Sequence, residues 1–325
     1  MTIKDSVLNA LEHNRGSFLS GEELSNQLGV SRTAVWKAIK SLREEGYSIE
    51  AVTNKGYLLA ENSQTITEET FRLNLPAVYR NNDIYVYDTV DSTNLRARQI
   101  ASEGGKHGSI VIAAQQTGGR GRLGRSFFSP KEGIYISLIV KPEFDLSKSV
   151  LVTAAVAVAV AESIEEICGQ NAGIKWVNDI YVDGKKVCGI LTEGISDFET
   201  GQIENLIIGI GVNTSVKGFP PELLEKAGAV EGDYSRAALA ASIAGKTLEL
   251  IEHIEERTFI KPYREKSLVL GKMIRVLKGG YQVEPDESAG LPARVLNIDE
   301  DGALVVLYAD GTQETLSTGE ISIRW

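Results

Sequence analysis

Residues 115–125 read Gln-Gln-Thr-Gly-Gly-Arg-Gly-Arg-Leu-Gly-Arg, with four glycines alternating with three arginines. Between residues 104 and 131 there are five basic side chains and no acidic one. Glycine lets backbone N–H groups approach an oxyanion closely, and a guanidinium pairs with carboxylate or phosphate through two parallel hydrogen bonds. Such a segment suits an anion-binding loop; a disordered basic loop, or one that touches RNA, is the other reading. A second cluster, Lys175-Trp-Val-Asn-Asp179, is followed by Asp183-Gly-Lys-Lys-Val-Cys-Gly-Ile190. A lysine turned inward by strand alternation, beside Asn178 and Asp179, can hold phosphates and a magnesium ion. An exposed hairpin with ordinary surface charge would read the same way. Gly209-Ile-Gly-Val-Asn213 is the weakest signal, because two glycines at a strand end often only permit close packing.

Other candidate motifs fail on spacing. Gly245-Lys246-Thr247 resembles the end of a phosphate-binding loop, but Ala240 stands where its first glycine is needed. Gly209 and Gly211 lack the third glycine of a dinucleotide fingerprint, since Thr214 occupies that place. His13, His107 and His253 are scattered, and Cys168 and Cys188 have no partners at metal-ligand spacing. Neither a histidine-based triad nor a zinc site is expected. The chemistry must then rest on positioning and charge stabilisation.

These residues need a scaffold, and the chain supplies three kinds. The first 60 residues carry seven basic and seven acidic side chains, so the remaining 265 account for the whole net charge of -10. Ile3–Asn14 reads as a helix with Val7, Leu8 and Leu11 on one face. Ser20-Gly-Glu-Glu23 is a capping box opening a short helix that stops at Gly29. Ser31 caps a third helix, Arg32–Glu45, and a hairpin follows around Asn54-Lys55-Gly56. Three helices and a two-stranded wing make a winged helix-turn-helix. Ser31, Arg32, Thr33 and Lys37 lie where a recognition helix meets DNA, and Ser31–Arg43 holds four basic residues and no acid. A solvated basic face on a structural unit is the alternative.

Residues 61–80 suit a linker with one short helix. Beyond it, strands are expected at Ile84–Tyr87, Ser109–Gln115, Gly133–Lys141 and Asn205–Val212. Gly173–Trp176, Ile180–Val182 and Val187–Glu193 form a strand and a hairpin turning at Asp183-Gly184. Helices are expected at Ser92–Ser102, capped by Ser92 or Asp91, at Ser149–Cys168, and at Arg236–Lys266 with a break near Pro262. This is mixed α+β with hairpins rather than regular βαβ units. From Gly271, short strands at Lys272–Leu277, Ala293–Ile298, Ala303–Tyr308 and Gln313–Ser317 argue for a small β-barrel.

At roughly 150 residues per domain, 325 residues leave room for two or three domains. Apolar residues at 42% and charged residues at 24% are ordinary globular usage, which excludes a disordered or fibrous chain. Net charge of -10 argues against coating nucleic acid or an anionic membrane along the whole chain, so any such contact is local. Val150–Ala161 is the most apolar run, far short of the ~20 residues of a membrane span. The opening residues lack the apolar core of a secretory signal, and a cytoplasmic protein without membrane partners is expected.

GRGRxGR, KWxND, GKKxxGIL and GxGVN follow one another in the order seen in bifunctional biotin–protein ligases that repress the biotin operon, and the chain resembles that family along essentially its whole length. The resemblance implies an α+β multidomain protein: a winged helix-turn-helix at 1–62, a linker at 63–80, a ligase domain at 81–268 related to class II aminoacyl-tRNA synthetases, and an SH3-like barrel at 269–325. It implies that biotin and Mg-ATP give biotinyl-5′-AMP, from which biotin passes to a lysine of a biotin carboxyl carrier protein. It assigns Ser92, Thr93, Asn94 and Gln116 to biotin, with Gly189 and Asn213 also on the ligand. Arg120, Gly121 and Arg122 become the loop over the carboxylate and adenylate, and Lys186 the lysine neutralising the carboxylate and α-phosphate. Asn178 and Asp179 fall where ATP phosphates and Mg2+ are handled, with no fixed metal site beyond Asp179. The adenylate is also implied as corepressor, promoting a homodimer that binds operator DNA. The chain departs from the family at Phe127, where a Trp is usual, and at Val177, where a Pro is usual; valine does not fix φ as proline does. Competing readings are a biotin-sensing repressor without turnover, a lipoate ligase of the same fold, and a ligase whose first 60 residues are only structural.

Overall fold

The structure, a computed structural model, describes residues 2–60, 66–144, 149–196, 203–277, 290–317 and 320–322. The chain divides into two compact units, Met1–Asn81 with Gly232–Ser242, and Asn82–Glu231 with Ile243–Trp325.

In the first unit α1 (Ile3–His13), α2 (Gly21–Leu28) and α3 (Arg32–Glu44) surround a core of Val7, Leu8, Leu11, Leu24, Val35 and Leu42. The capping box at α2 is present: Ser20 Oγ accepts from the Glu23 amide at 3.0 Å, and Glu23 Oε2 accepts from the Ser20 amide at 2.7 Å. Gly29 ends α2 at φ 64°, a left-handed conformation that costs an L-residue about 1 kcal/mol or more. β1 (Ile49–Val52) and β2 (Gly56–Leu59) pair antiparallel as the wing. The stretch expected to be a linker with one short helix carries that helix. α4 (Glu68–Asn74), capped by Thr67, packs against α1, and Phe71 and Leu75 are buried. The Tyr47 hydroxyl lies 2.6 Å from Thr67 Oγ1. Residues 61–65 of that stretch lie outside the described residues.

The second unit is built on a seven-stranded mixed sheet ordered β3-β4-β5-β9-β8-β7-β6. Its strands are β3 (Ile84–Val90), β4 (Ser109–Gln116), β5 (Gly133–Val140), β6 (Gly173–Lys175), β7 (Asp179–Val182), β8 (Lys185–Ser196) and β9 (Ile203–Asn213). All pairs are antiparallel except β3 with β4, which α5 (Thr93–Ser102) joins as one βαβ unit. Tyr135, Gly211 and Gly189 lie in one register row, and Ser137, Gly209 and Leu191 in another. Paired residues share a face, and residues two apart return to it, so these rows lie on the same side of the sheet. α5 covers that side, with Ala97, Ile100 and Ala101 packed on Val111, Ile139 and Ile207. Every residue of β5 is buried, which requires cover on both faces. α6 (Ser149–Cys168), apolar nearly all round, packs against β6, β7 and β8.

After β9 come α7 (Pro221–Leu224), α8 (Arg236–Glu252) and α9 (Ile260–Glu265). The break expected near Pro262 falls instead at Arg257, at φ 56°, after a 3₁₀ turn at Ile254–Glu256. Pro262 sits in the first turn of α9, where its missing N–H removes no hydrogen bond. β10 (Met273–Leu277), β11 (Leu291–Ile298), β12 (Leu304–Tyr308), β13 (Gln313–Leu316) and β14 (Glu320–Ser322) form an antiparallel sheet ordered β13-β12-β11-β10-β14. β14 is a strand beyond the four that alternation indicated; at three residues it is too short to show a period. Among the described residues no helix is long and apolar enough to cross a membrane.

Candidate active site

One cleft in the second unit gathers most of the chemically distinctive residues. At one end lie Ser92, Thr93 and Asn94, each at most 4% exposed, with Gln116 beside them. They stand at the start of α5, and the expected helix cap there is corrected. The Ser92 side chain makes no capping bond, and Asp91 Oδ1 accepts from the Ser92 amide at 2.6 Å. Gln116 on β4 meets the helix terminus instead, its Oε1 accepting from the Thr93 amide at 2.8 Å and the Thr93 hydroxyl at 3.1 Å. Its Nε2 donates to Ser129 Oγ at 2.9 Å. Asn94 lies across the sheet, accepting from Ser137 Oγ and donating to Glu193 Oε2, both at 2.7 Å.

The floor is made of glycine. A Cβ on Gly209 would stand 2.2 Å from Asn94 Oδ1, and one on Gly211 2.6 Å from the Phe127 ring. The spacing of the two glycines by two residues is what puts both gaps on one face of β9. The pair that looked like mere packing therefore makes the depth of the cleft. Phe127, the departure from the usual Trp, lies over this floor and meets the Tyr135 ring edge-on at 6.5 Å.

At the other end the glycine-arginine loop folds back on itself. The Gly121 amide donates to Arg125 O at 2.7 Å, and the Phe127 amide to Gly119 O at 2.9 Å. Leu123 and Gly124 have φ 56° and 75°, which turns the tip. Arg120, Gly121, Arg122 and Arg125 line the cleft. The β7–β8 hairpin faces them across it. Asn178 accepts from Arg122 Nη1 at 3.3 Å and is pinned by its Nδ2 to Ile190 O at 2.8 Å. Lys186 Nζ lies 2.5 Å from Asp179 Oδ1, and Gly189 lies beneath both Phe127 and Lys186. Among the described residues four cationic side chains thus line the cleft against one carboxylate, in a chain of net charge -10. Such local focusing of positive potential raises the concentration of an anionic ligand.

Around Val177, the Trp176–Val177 peptide bond is cis. The backbone there is tied by Trp176 Nε1 donating to Gly302 O at 3.0 Å and the Tyr263 hydroxyl donating to Val177 O at 3.1 Å. Lys175 lies with Nζ 5.9 Å from the centre of the Tyr181 ring, while Lys186 on β8, the lysine expected there, supplies the ammonium beside Asp179. One expected residue does not reach the cleft: Asn213 is buried and donates to Gly228 O at 3.0 Å, holding the segment after β9 rather than facing the cleft. Arg125 belongs to the loop singled out in the sequence, whereas Ser129, Ser137 and Glu193 carried no sequence signal that was read. Glu193 was within reach, since alternation along β8 puts it on the face of Gly189 and Leu191. Among the described residues no three His, Cys, Asp or Glu side chains cluster to hold a metal. A magnesium ion fits this cleft only as one carried by polyphosphate, with Asp179 the single carboxylate near it.

In the first unit, Arg32, Thr33 and Lys37 on α3 and its N-cap Ser31 are all exposed. Ser31 Oγ accepts from the Ala34 amide at 3.2 Å, and Arg32 pairs with Glu22 at 2.5 Å. Arg43 departs from the expected basic face: its Nε donates to Ile49 O at 2.8 Å and braces the wing. Trp36, 53% exposed with the Lys40 ammonium 5.9 Å from its ring, extends that face and carried no sequence signal of its own.

Residues 4–58 match a helix-turn-helix domain family, 86–213 the biotin/lipoate A/B protein ligase family, and 292–324 the biotin protein ligase C-terminal domain. The chain is 34% identical to the bifunctional ligase/repressor BirA of Bacillus subtilis, over 97% of each protein. It is 28% identical to that of Escherichia coli, covering 95% of this chain and 94% of that one. Its structure resembles that of a biotin protein ligase from Aquifex aeolicus in complex with biotin and ATP, with a TM-score of 0.61 and 26% identity over 74% of this chain and 98% of that one. Likeness of this extent, running through the helix-turn-helix, the ligase region and the C-terminal sheet alike, makes the chain a member of the bifunctional biotin–protein ligase and repressor family.

Proposed function

We propose that the protein activates biotin with ATP to biotinyl-5′-AMP, transfers the biotinyl group to a lysine of a biotin carboxyl carrier protein, and represses biotin genes when it carries the adenylate. The observation that supports the ligase reading is one cleft with two chemically opposite ends, buried hydroxyls and carboxamides at one and four cations at the other. A neutral urea-like head and an adenylated carboxylate are matched to such a site. Ser92, Thr93, Asn94 and Gln116 hold the head, with Gly189 beneath the chain of the ligand.

In the first half-reaction a biotin carboxylate oxygen attacks the α-phosphorus, the bond to the β-phosphate oxygen breaks, and pyrophosphate leaves. Arg120, Arg122 and Lys186 hold the two anions together and stabilise the charge that builds on the phosphoryl oxygens. Asn178 orients Arg122, and Asp179 orients Lys186. Magnesium, bound with ATP, screens the polyphosphate. In the second half-reaction a neutral carrier amine attacks the acyl carbon and AMP departs. The oxyanion formed there lies near the same cations. Among the described residues no His or Cys lines the cleft, so the amine proton passes to water, the phosphate or the Asp179 carboxylate.

For the repressor reading, the exposed residues Ser31, Arg32, Thr33 and Lys37 on the third helix, with the adjoining wing, support major-groove contact. Two copies related by a two-fold axis would match a palindromic operator, and ligand-promoted dimerisation supplies them. The reading includes a ligase domain of class II aminoacyl-tRNA-synthetase type, a C-terminal SH3-like barrel and a cytoplasmic location, where ATP, carrier protein and operator meet. Biotin-dependent ATP–pyrophosphate exchange on the purified protein tests the first step. Exchange that requires biotin and is not supported by lipoate is expected. Biotin binding by folded protein without exchange would reduce it to a ligand-sensing repressor.

A further inference from the structure

From the hydrogen-bond pattern around Asn94 we infer that Glu193, with Ser137, is a positioning residue that fixes the polarity of the Asn94 carboxamide and so selects a ligand that offers an N–H at that point. The inference rests on the reading of the cleft as a biotin site and names how one end of it achieves selectivity.

Asn94 is 4% exposed, and both ends of its carboxamide are engaged by the protein. Nδ2 donates to Glu193 Oε2 at 2.7 Å and to Leu191 O at 3.5 Å, which uses both of its hydrogens. Oδ1 accepts from Ser137 Oγ at 2.7 Å, which leaves one lone pair. A carboxylate only accepts and a main-chain carbonyl only accepts, so a rotated Asn94 would set its oxygen against two acceptors. Such buried mismatches are costly, and the orientation is determined by its surroundings rather than by Asn94 itself. What remains available to a ligand is a hydrogen-bond acceptor.

The scaffold makes this arrangement cheap to hold. Ser137, Gly209 and Leu191 are in register across β5, β9 and β8, and Glu193 is two residues along β8 on the same face. Gly209 leaves the space the carboxamide occupies, 2.2 Å from where its Cβ would be. Arg98, on α5 with Asn94, stands 3.9 Å from the other Glu193 oxygen and tethers the carboxylate from the far side. Glu193 does not line the cleft, so its influence on a ligand passes through Asn94.

The test is a polarity exchange read by biotin titration calorimetry, with melting temperature recorded for each variant. Glu193→Ala frees the Asn94 amide to rotate. It is expected to weaken biotin binding by about 10-fold or more, the range for leaving a buried partner unpaired. The ATP KM should stay within about twofold of wild type, because the cationic end is untouched. Glu193→Gln retains an acceptor oxygen and should recover most of that loss. Asn94→Asp places two carboxylates face to face and should lose binding more severely. Combining it with Glu193→Gln turns the same hydrogen bond around, with the glutamine donating, and should restore at least about tenfold of the lost affinity. A double variant no better than Asn94→Asp alone, or a Glu193→Ala protein that binds biotin as wild type does, overturns the inference while leaving the site reading intact. A folded wild-type protein that fails to bind biotin overturns both.

Discussion

At the scale of single residues, two of the cleft's cations are each held by a neighbouring side chain. The Lys186 ammonium is aimed by Asp179 at 2.5 Å, and Arg122 by Asn178 at 3.3 Å. Lys186→Ala or Arg120→Ala should lower biotin-dependent pyrophosphate exchange by ~10²–10³, the usual loss on removing one preorganised charge-stabilising donor. Circular dichroism and melting temperature should stay near wild type. Full exchange in either folded variant would remove the residue from catalysis. Gly211 makes a separate prediction, because its role is an absence. A methyl there would stand 2.6 Å from the Phe127 ring, with the Phe127–Tyr135 contact behind it. Gly211→Ala should raise the KM for biotin by about 10-fold while the protein stays folded, the scale of an overpacked contact. Unchanged KM would mean that Phe127 moves away freely.

Elements supply the stability that holds those residues in register. The α2 cap is a local device whose energy can be read without reference to the ligase cleft. Ser20→Ala removes the hydroxyl that accepts from the Glu23 amide and should cost about 1 kcal/mol in the helix-turn-helix. Its pH dependence follows from the other half of the box. Donation from the Ser20 amide holds the Glu23 carboxyl below its ordinary value of 4.5. A carboxyl with a depressed pKa in the folded state stabilises fully above 4.5, and the contribution is lost as pH falls through the folded value. Amide-exchange protection of α2 should therefore fall on acidification below that point. Glu23→Gln keeps the acceptor and should flatten the dependence; an equally steep acid loss in that variant would place the titrating group elsewhere.

On the scale of the whole molecule, a net charge of -10 is combined with two local basic surfaces, the ligase cleft and the third helix of the first unit. The sequence separation of these surfaces predicts separable losses. Arg32→Ala or Lys37→Ala should weaken operator binding and lower its salt dependence by about one unit of log–log slope for each phosphate that is no longer neutralised. Biotin-dependent exchange in the same proteins should be unaffected. Operator affinity measured by fluorescence anisotropy across a salt series checks this, and wild-type slopes in both variants would make the first unit a structural appendage.

Whatever depends on short-range rules was already legible in the order of the residues. The capping box at Ser20, the stop at Gly29 and the turn at Asp183-Gly184 each follow from a few adjacent residues. The motif residues were legible as candidates only, since glycines among arginines suit an anion loop and a basic RNA-touching loop alike. The tertiary structure decided what depends on partners far along the chain. Gln116 meets the start of α5 from 23 residues away, and Asn94 is oriented by Ser137 and Glu193, 43 and 99 residues away. The β7–β8 hairpin brings Lys186 to Asp179, and Asn213 turns aside to Gly228. Hydrogen bonds are short and directional, so which of two plausible side chains makes one is settled only when strands are laid side by side.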